Sequence, residues 1–163
     1  MFNWIANEML KMTKGNPKYI LISLAFFTAI VSAFLDNVTT VILIMPVTFV
    51  IAKELDINPI PFLITEILAS NIGGTATLIG DPPNIIIGSA AGLSFMDFIK
   101  ELTGIVAAIL IVNVGILTFI FRKQLVAAKE KMEKVAQLDN SHTITDKALM
   151  IRSGIVLLLV IIG

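Results

Sequence analysis

The sequence predicts an all-α integral membrane protein, and three observations carry that expectation. Of 163 residues, 56% are hydrophobic and 15% charged. The mean hydropathy, +0.93, lies well above that of an average soluble domain. Two apolar stretches are interrupted at membrane depth by polar and helix-breaking residues, at Asp36-Asn37-Val38-Thr39-Thr40 and from Ser70 to Asn84. Non-helical backbone survives at that depth only where protein, water or an ion satisfies it, because each orphaned group costs on the order of several kcal/mol in hydrocarbon. The expected architecture is therefore a re-entrant helical hairpin followed by a discontinuous transmembrane helix.

Residues 1–18 open the chain as an amphipathic interfacial helix. Phe2, Ile5, Met9 and Met12 recur at helical spacing, Asn3, Glu8 and Lys11 face elsewhere, and Trp4 suits the headgroup level. This is not the basic start and apolar core of a secretory signal. Residues 19–53 supply the hairpin, from an uncharged run Tyr19 to Leu35, through a turn at Asp36-Asn37, to a second run Val41 to Ala52. Together the arms exceed one span and fall short of two, since each span needs about 20 apolar residues.

Residues 59–91 form the broken helix. Its first half runs from Phe62 to Asn71. Three glycines and two prolines then interrupt it, and Asp81-Pro82-Pro83 restarts it as an N-cap before two first-turn prolines. Gly92 to Glu101 reads as a short interfacial segment, and 102–121 as a full spanning helix whose one strongly polar residue is Asn113. Residues 122–147 form a basic connector carrying Arg122, Lys123, Lys129, Lys131 and Lys134, and 148–163 a transmembrane helix cut short. The chain reads as a piece of a longer protein.

The basic connector is expected on the cytoplasmic side, and so is the cluster Lys11, Lys14 and Lys18. Two clusters on one face require an even number of crossings between them. A hairpin returning to its own side, one broken helix and one full helix meet that requirement; a single long span over residues 19–52 would not.

Composition also excludes functions. A formal net charge of zero argues against a nucleic-acid partner. The absence of cysteine rules out disulfides and thiolate metal sites. The one histidine, His142, lies in the polar connector. No Ser/His pairing or His-Glu metal motif marks an enzyme, and no resident cofactor is expected.

The chemistry is expected at the two breaks. A helix beginning there offers unpaired N–H groups and the positive end of its dipole to an anion, and a helix ending there offers carbonyls to Na⁺ or H⁺. Side-chain oxygens of Asp36, Asn37, Thr39, Ser70, Asn71, Thr75 and Thr77 are available to complete a hard-cation shell. Asp36 reads either as an ion ligand or as the cap of the second arm, and Asp81 carries the same ambiguity. Glu66 lies one turn before Ser70. It reads as a proton relay, as a partner of Lys53, or as an interfacial residue. Asn113 reads as glue between helices.

Ser32-Ala33-Phe34-Leu35-Asp36-Asn37-Val38-Thr39-Thr40-Val41 and the stretch from Ala69 to Asn84 closely resemble permeases of the ion transporter superfamily. The nearest likeness is to the melanocyte P protein type with its citrate transporter-like domain, grouped with arsenite permeases, NhaD-type Na⁺/H⁺ antiporters and, more distantly, dicarboxylate/Na⁺ symporters. The resemblance implies one half of an inverted-repeat, elevator-type secondary carrier. Such a carrier is a multi-pass plasma-membrane protein, a homodimer when complete, and moves a small anion or inorganic ion coupled to H⁺ or Na⁺. Na⁺/H⁺ antiport, dicarboxylate/Na⁺ symport and uncoupled anion conduction are the alternatives. The implied site comprises Asp36, Asn37, Thr39, Thr40, Ser70, Asn71, Gly73, Gly74, Thr75, Thr77, Asp81 and Asn84, with Na⁺ at Asn37, Asn71 and Thr75. The symporters carry Ser-Asn-Thr where this chain has Asp36-Asn37-Val38-Thr39. The Asn aligns, and the acidic residue departs from the pattern in a way that repels an anion and favours a cation or proton.

Overall fold

The computed structural model describes residues 2–136. They form helices α1 (Phe2–Met12), α2 (Pro17–Ser32), α3 (Asn37–Leu55), α4 (Ile60–Gly74), α5 (Pro82–Ala91), α6 (Phe95–Ile120) and α7 (Lys129–Ala136). The truncated helix expected over 148–163, the later part of the basic connector and His142 lie outside the described residues.

Local chemistry explains where these helices start. Pro17 begins α2 behind Asn16, whose side chain accepts from the Lys18 N–H at 3.0 Å. Asp36 caps α3 by accepting from the Thr39 N–H at 2.9 Å. That cap lets α3 begin four residues before the uncharged run at Val41, so the second arm has 19 residues, or about 28 Å at the usual helical rise. With α6, it is one of two described helices long and apolar enough to cross a membrane.

A reciprocal capping box starts α6. The Asp97 N–H donates to Ser94 Oγ and the Ser94 N–H to Asp97 Oδ2. With its first donors satisfied, the helix absorbs the segment expected to lie separately at 92–101 and runs unbroken for 26 residues.

The start of α2 and the end of α3 lie at the same end of the molecule. Lys131 of α7 pairs with Asp56, just past α3, at 2.7 Å. The adjacent Met132 lies against Gly15, just before α2, so closely that a Cβ on Gly15 would stand 3.0 Å from the Met132 Cα. Gly15 also has a positive φ of 66°, which favours glycine. Thus α2 and α3 form a hairpin with its turn, residues 33–36, at the far end. The basic segments around Lys14 and Lys129 meet at the near end.

The core is built from Leu21, Leu24 and Ala25 of α2, Ile44, Val47 and Ile51 of α3, Phe62 and Ala69 of α4, and Leu110 and Val114 of α6. Helix α2 packs most extensively against α4. Ala6 and Leu10 of α1 are wholly buried in the same core. The inward face of α1 is thus rotated from the expected one: Ile5 and Met9 pack against the core, while Met12 is 80% exposed. Ile105, Ile109, Ile116 and Phe119 of α6 and Ile85 to Ile87 of α5 point outward. An apolar exterior of this kind suits hydrocarbon or further protein rather than water.

Candidate functional site

The hairpin turn and the helix break come together. Helix α4 continues three residues beyond the expected Asn71, to Gly74, before the chain leaves helical geometry and restarts at Pro82. It can do so because Gly73 and Gly74 remove side chains where other backbone approaches. A Cβ on Gly73 would stand 2.1 Å from the Ala29 carbonyl oxygen, and one on Gly74 2.3 Å from Asn37 Oδ1 and 2.8 Å from the Gly80 oxygen.

A directed chain of hydrogen bonds joins the hairpin to the broken helix. Ser32 Oγ donates to Asn37 Oδ1 at 2.8 Å, Asn37 Nδ2 to Asn71 Oδ1 at 3.2 Å, and Asn71 Nδ2 to the Ile67 carbonyl at 2.7 Å. Each amide accepts from one neighbour and donates to the next, which fixes both orientations. The Thr77 hydroxyl donates to the Ala33 carbonyl and accepts from the Gly80 N–H at 3.1 Å, so it satisfies the freed ends of both breaks. Asn84, in the first turn of α5, shares its amide hydrogens among the carbonyls of Thr77, Thr75 and Gly74 at 2.9, 3.3 and 3.4 Å. Thr75 Oγ1 donates to the Asn71 carbonyl at 2.9 Å, and Ser70 Oγ to the Ile67 carbonyl at 2.9 Å.

Asn37, Ser70 and Asn71 border a groove of about 230 Å³, completed by Val38, Val41, Ile42 and Ile67. Two helix C-termini, of α2 and α4, and two N-termini, of α3 and α5, converge on these residues. The convergence sets partial negative charge beside partial positive charge. Such a place suits a cation held by amide and carbonyl oxygens next to an anion held by N–H groups. The chain's own candidate Na⁺ ligands, Asn37, Asn71 and Thr75, are linked to one another here through Asn71.

Other expected residues stand apart. The Asp36 carboxylate is turned onto its own helix as a cap, and Thr39 is exposed. Thr40 faces inward, its hydroxyl buried with no hydrogen-bond partner among the described residues. Asp81 occupies the N-cap position of α5, yet its side chain makes no capping bond. Ser32 and Gly80 belong to the junction and were absent from the expected set. The signal for Ser32 was its place four residues after Thr28 on the buried face of α2. Gly80, whose Cβ would stand 2.5 Å from the Gly74 oxygen, had no signal beyond being glycine. Glu66 is wholly buried and accepts from the Thr48 hydroxyl, while Lys53 is exposed and unpaired with it. Asn113 keeps its buried Oδ1 without a partner among the described residues.

The sequence profile of the family described as citrate transporter matches residues 1–163. The chain belongs to that family. It is similar to a 46 kDa membrane protein of Mycobacterium leprae, 46% identical over 163 residues, which cover all of this chain and 38% of that protein. It is also similar to an uncharacterized transporter of Mycobacterium tuberculosis, 45% identical over 160 residues, covering 98% of this chain and 37% of the relative. The human P protein is 36% identical over 146 residues, covering 86% of this chain and 17% of that protein. The chain thus spans less than two fifths of the length of these relatives. Family and relatives agree with the resemblance to the ion transporter superfamily and with a multi-pass helical membrane protein, and their names point to transport rather than catalysis.

Proposed function

We propose that this chain is the ion-binding repeat of a secondary active membrane transporter, which moves a small anion or inorganic ion coupled to Na⁺ or H⁺. The observation that carries the reading is the Asn37–Asn71 hydrogen bond at 3.2 Å, which ties the hairpin turn to the helix break. In this reading α2 and α3 are a re-entrant hairpin and α4 and α5 a broken helix. They form one of two inverted repeats in a homodimeric, elevator-type carrier of the plasma membrane, with the Lys14 and Lys129 end cytoplasmic. The family's name suggests a carboxylate anion. The Asp36 carboxylate is engaged with the Thr39 N–H as a helix cap, and its negative charge beside the junction supports a cation or proton as the coupling ion.

The test is gradient-driven uptake by the complete protein in proteoliposomes, under imposed Na⁺ and H⁺ gradients, for wild type and Asn71→Ala. Removing one positioning hydrogen bond is worth about 1–2 kcal/mol, so coupled uptake is expected to fall about tenfold. Current without any coupling ion would establish a channel instead, and undiminished uptake in the variant would remove the site.

A further inference from the structure

One ionisable group lies outside the junction and inside the protein. Glu66 of α4 has no exposed surface. The Thr48 hydroxyl of α3 donates to its Oε1, and its Oε2 is buried without any hydrogen-bond partner among the described residues. It stands on the same face of α4 as Ser70 and Gly73, about 6 Å along the helix from Ser70.

Among the described residues no opposite charge compensates it. On α4 itself there is no second ionisable group. The elements packed on α4 carry theirs at the ends: Lys18 and Tyr19 on α2, Asp36, Lys53 and Glu54 on α3, and Asp97, Lys100 and Glu101 on α6. All of these are exposed, and none bonds to Glu66.

We propose that Glu66 and Thr48 form a proton-binding site, distinct from the amide junction, that takes up and releases a proton during the transport cycle. A carboxylate sealed among apolar helices with one oxygen unpaired is far costlier than the neutral acid, whereas a Gln would serve any purely structural role there as well as Glu. A proton suits the site better than a metal cation. A hard cation takes about six oxygens, and among the described residues this carboxyl has one hydroxyl bonded to it. The chemistry is a simple exchange: Oε2 accepts a proton from water when the core opens, and returns it to water on the other side. The coupling role rests on the transport reading above; the proton site itself does not.

Two measurements on the complete protein in lipid vesicles test it. Infrared difference spectra between acid and alkaline pH should contain a protonated-carboxyl carbonyl band that disappears in Glu66→Gln and persists in Asp36→Asn and Asp81→Asn. Thr48→Val, which keeps the carboxyl, should move the midpoint of that band's titration by about one pH unit, the equivalent of one hydrogen bond. In exchange assays Glu66→Gln should keep gradient-free counterflow of labelled anion and lose accumulation driven by a pH gradient. A spectrum with no band attributable to Glu66, or a midpoint unmoved in Thr48→Val, overturns the proton site. A band that vanishes alongside intact pH-driven accumulation overturns the coupling role. If no tested anion moves in wild type while the band behaves as expected, the transport reading fails and the proton site stands.

Discussion

The close approach of Gly73 to α2 makes the most direct prediction about what holds the site together. A Cβ at Gly73 would lie 2.1 Å from the Ala29 oxygen, 2.5 Å from its Cα and 2.6 Å from its carbonyl carbon. All three are backbone atoms, so no change of rotamer relieves the clash. Restoring ordinary contact, which begins at 3.4 Å, requires α2 and α4 to separate by about 1.3 Å over their largest interface. Overpacking of this kind costs about 1–3 kcal/mol, against roughly 1 kcal/mol that Ala gains over Gly within a helix. Gly73→Ala should therefore lower stability by up to about 2 kcal/mol, and stand about 1–3 kcal/mol below a Gly→Ala change that meets no clash. Its separated helices should also pull Thr77 away from the Ala33 carbonyl. The assay is reversible unfolding of the complete protein in mixed micelles, with Gly104→Ala as reference. A Cβ at Gly104 meets nothing within 4 Å, and that variant should be as stable as wild type or slightly more so. Equal stability of the two variants, together with wild-type flux in Gly73→Ala, would refute the close-packed junction.

Two further outcomes follow from carboxylates outside the core. Asp36→Asn should retain both fold and coupled uptake, because Asn caps a helix about as well as Asp, whereas Asp36→Ala should lose about 1 kcal/mol; collapse of uptake in Asp36→Asn, with the fold intact, would show the carboxylate to be an ion ligand. At the basic end, the hydrogen bond from Lys131, and then its charge, hold the Asp56 carboxyl below the ordinary carboxylate range. The contribution of that pair is present above the unfolded-state value of about 4 and is lost as pH falls through the lower folded value. Lys131→Met should consequently differ from wild type only slightly at neutral pH, both partners being exposed, and not at all below that range. A large neutral-pH difference in unfolding would contradict this.

Much of the architecture was legible because its signals are chemical and local. Asp36-Asn37 and Asp81-Pro82-Pro83 are start signals, and helices begin at Asn37 and Pro82. The basic segments announced their shared end through charge alone. What local reading missed depends on contacts between distant segments. Gly73 and Gly74 look like breakers, yet they stay helical because α2 and Asn37 fill the space their side chains would occupy. Ser94 and Asp97 each look unremarkable for an interfacial turn, and only their mutual bonding starts α6 there. Met12 fitted a helical stripe, but Ala6 and Leu10 define the buried one because the smaller side chain admits α1 to the core.

The polar residues at the junction also explain how an interrupted helix persists where water is scarce. Ending α4 frees carbonyls, whereas restarting with Pro82 and Pro83, which carry no N–H, leaves few orphaned donors on the other side. Asn84 gathers three of those carbonyls, and Thr77 bridges the Ala33 carbonyl to the Gly80 N–H. These bonds close the break internally and leave the facing amides of Asn37 and Asn71, with Ser70 beside them, as the polar groups lining the groove. An amide pair is suited to that position, since each can accept or donate without carrying charge into hydrocarbon. A carboxylate in either place would need a permanent counter-ion. Neutral amides can hold an ion and release it, and at rest they hold one another.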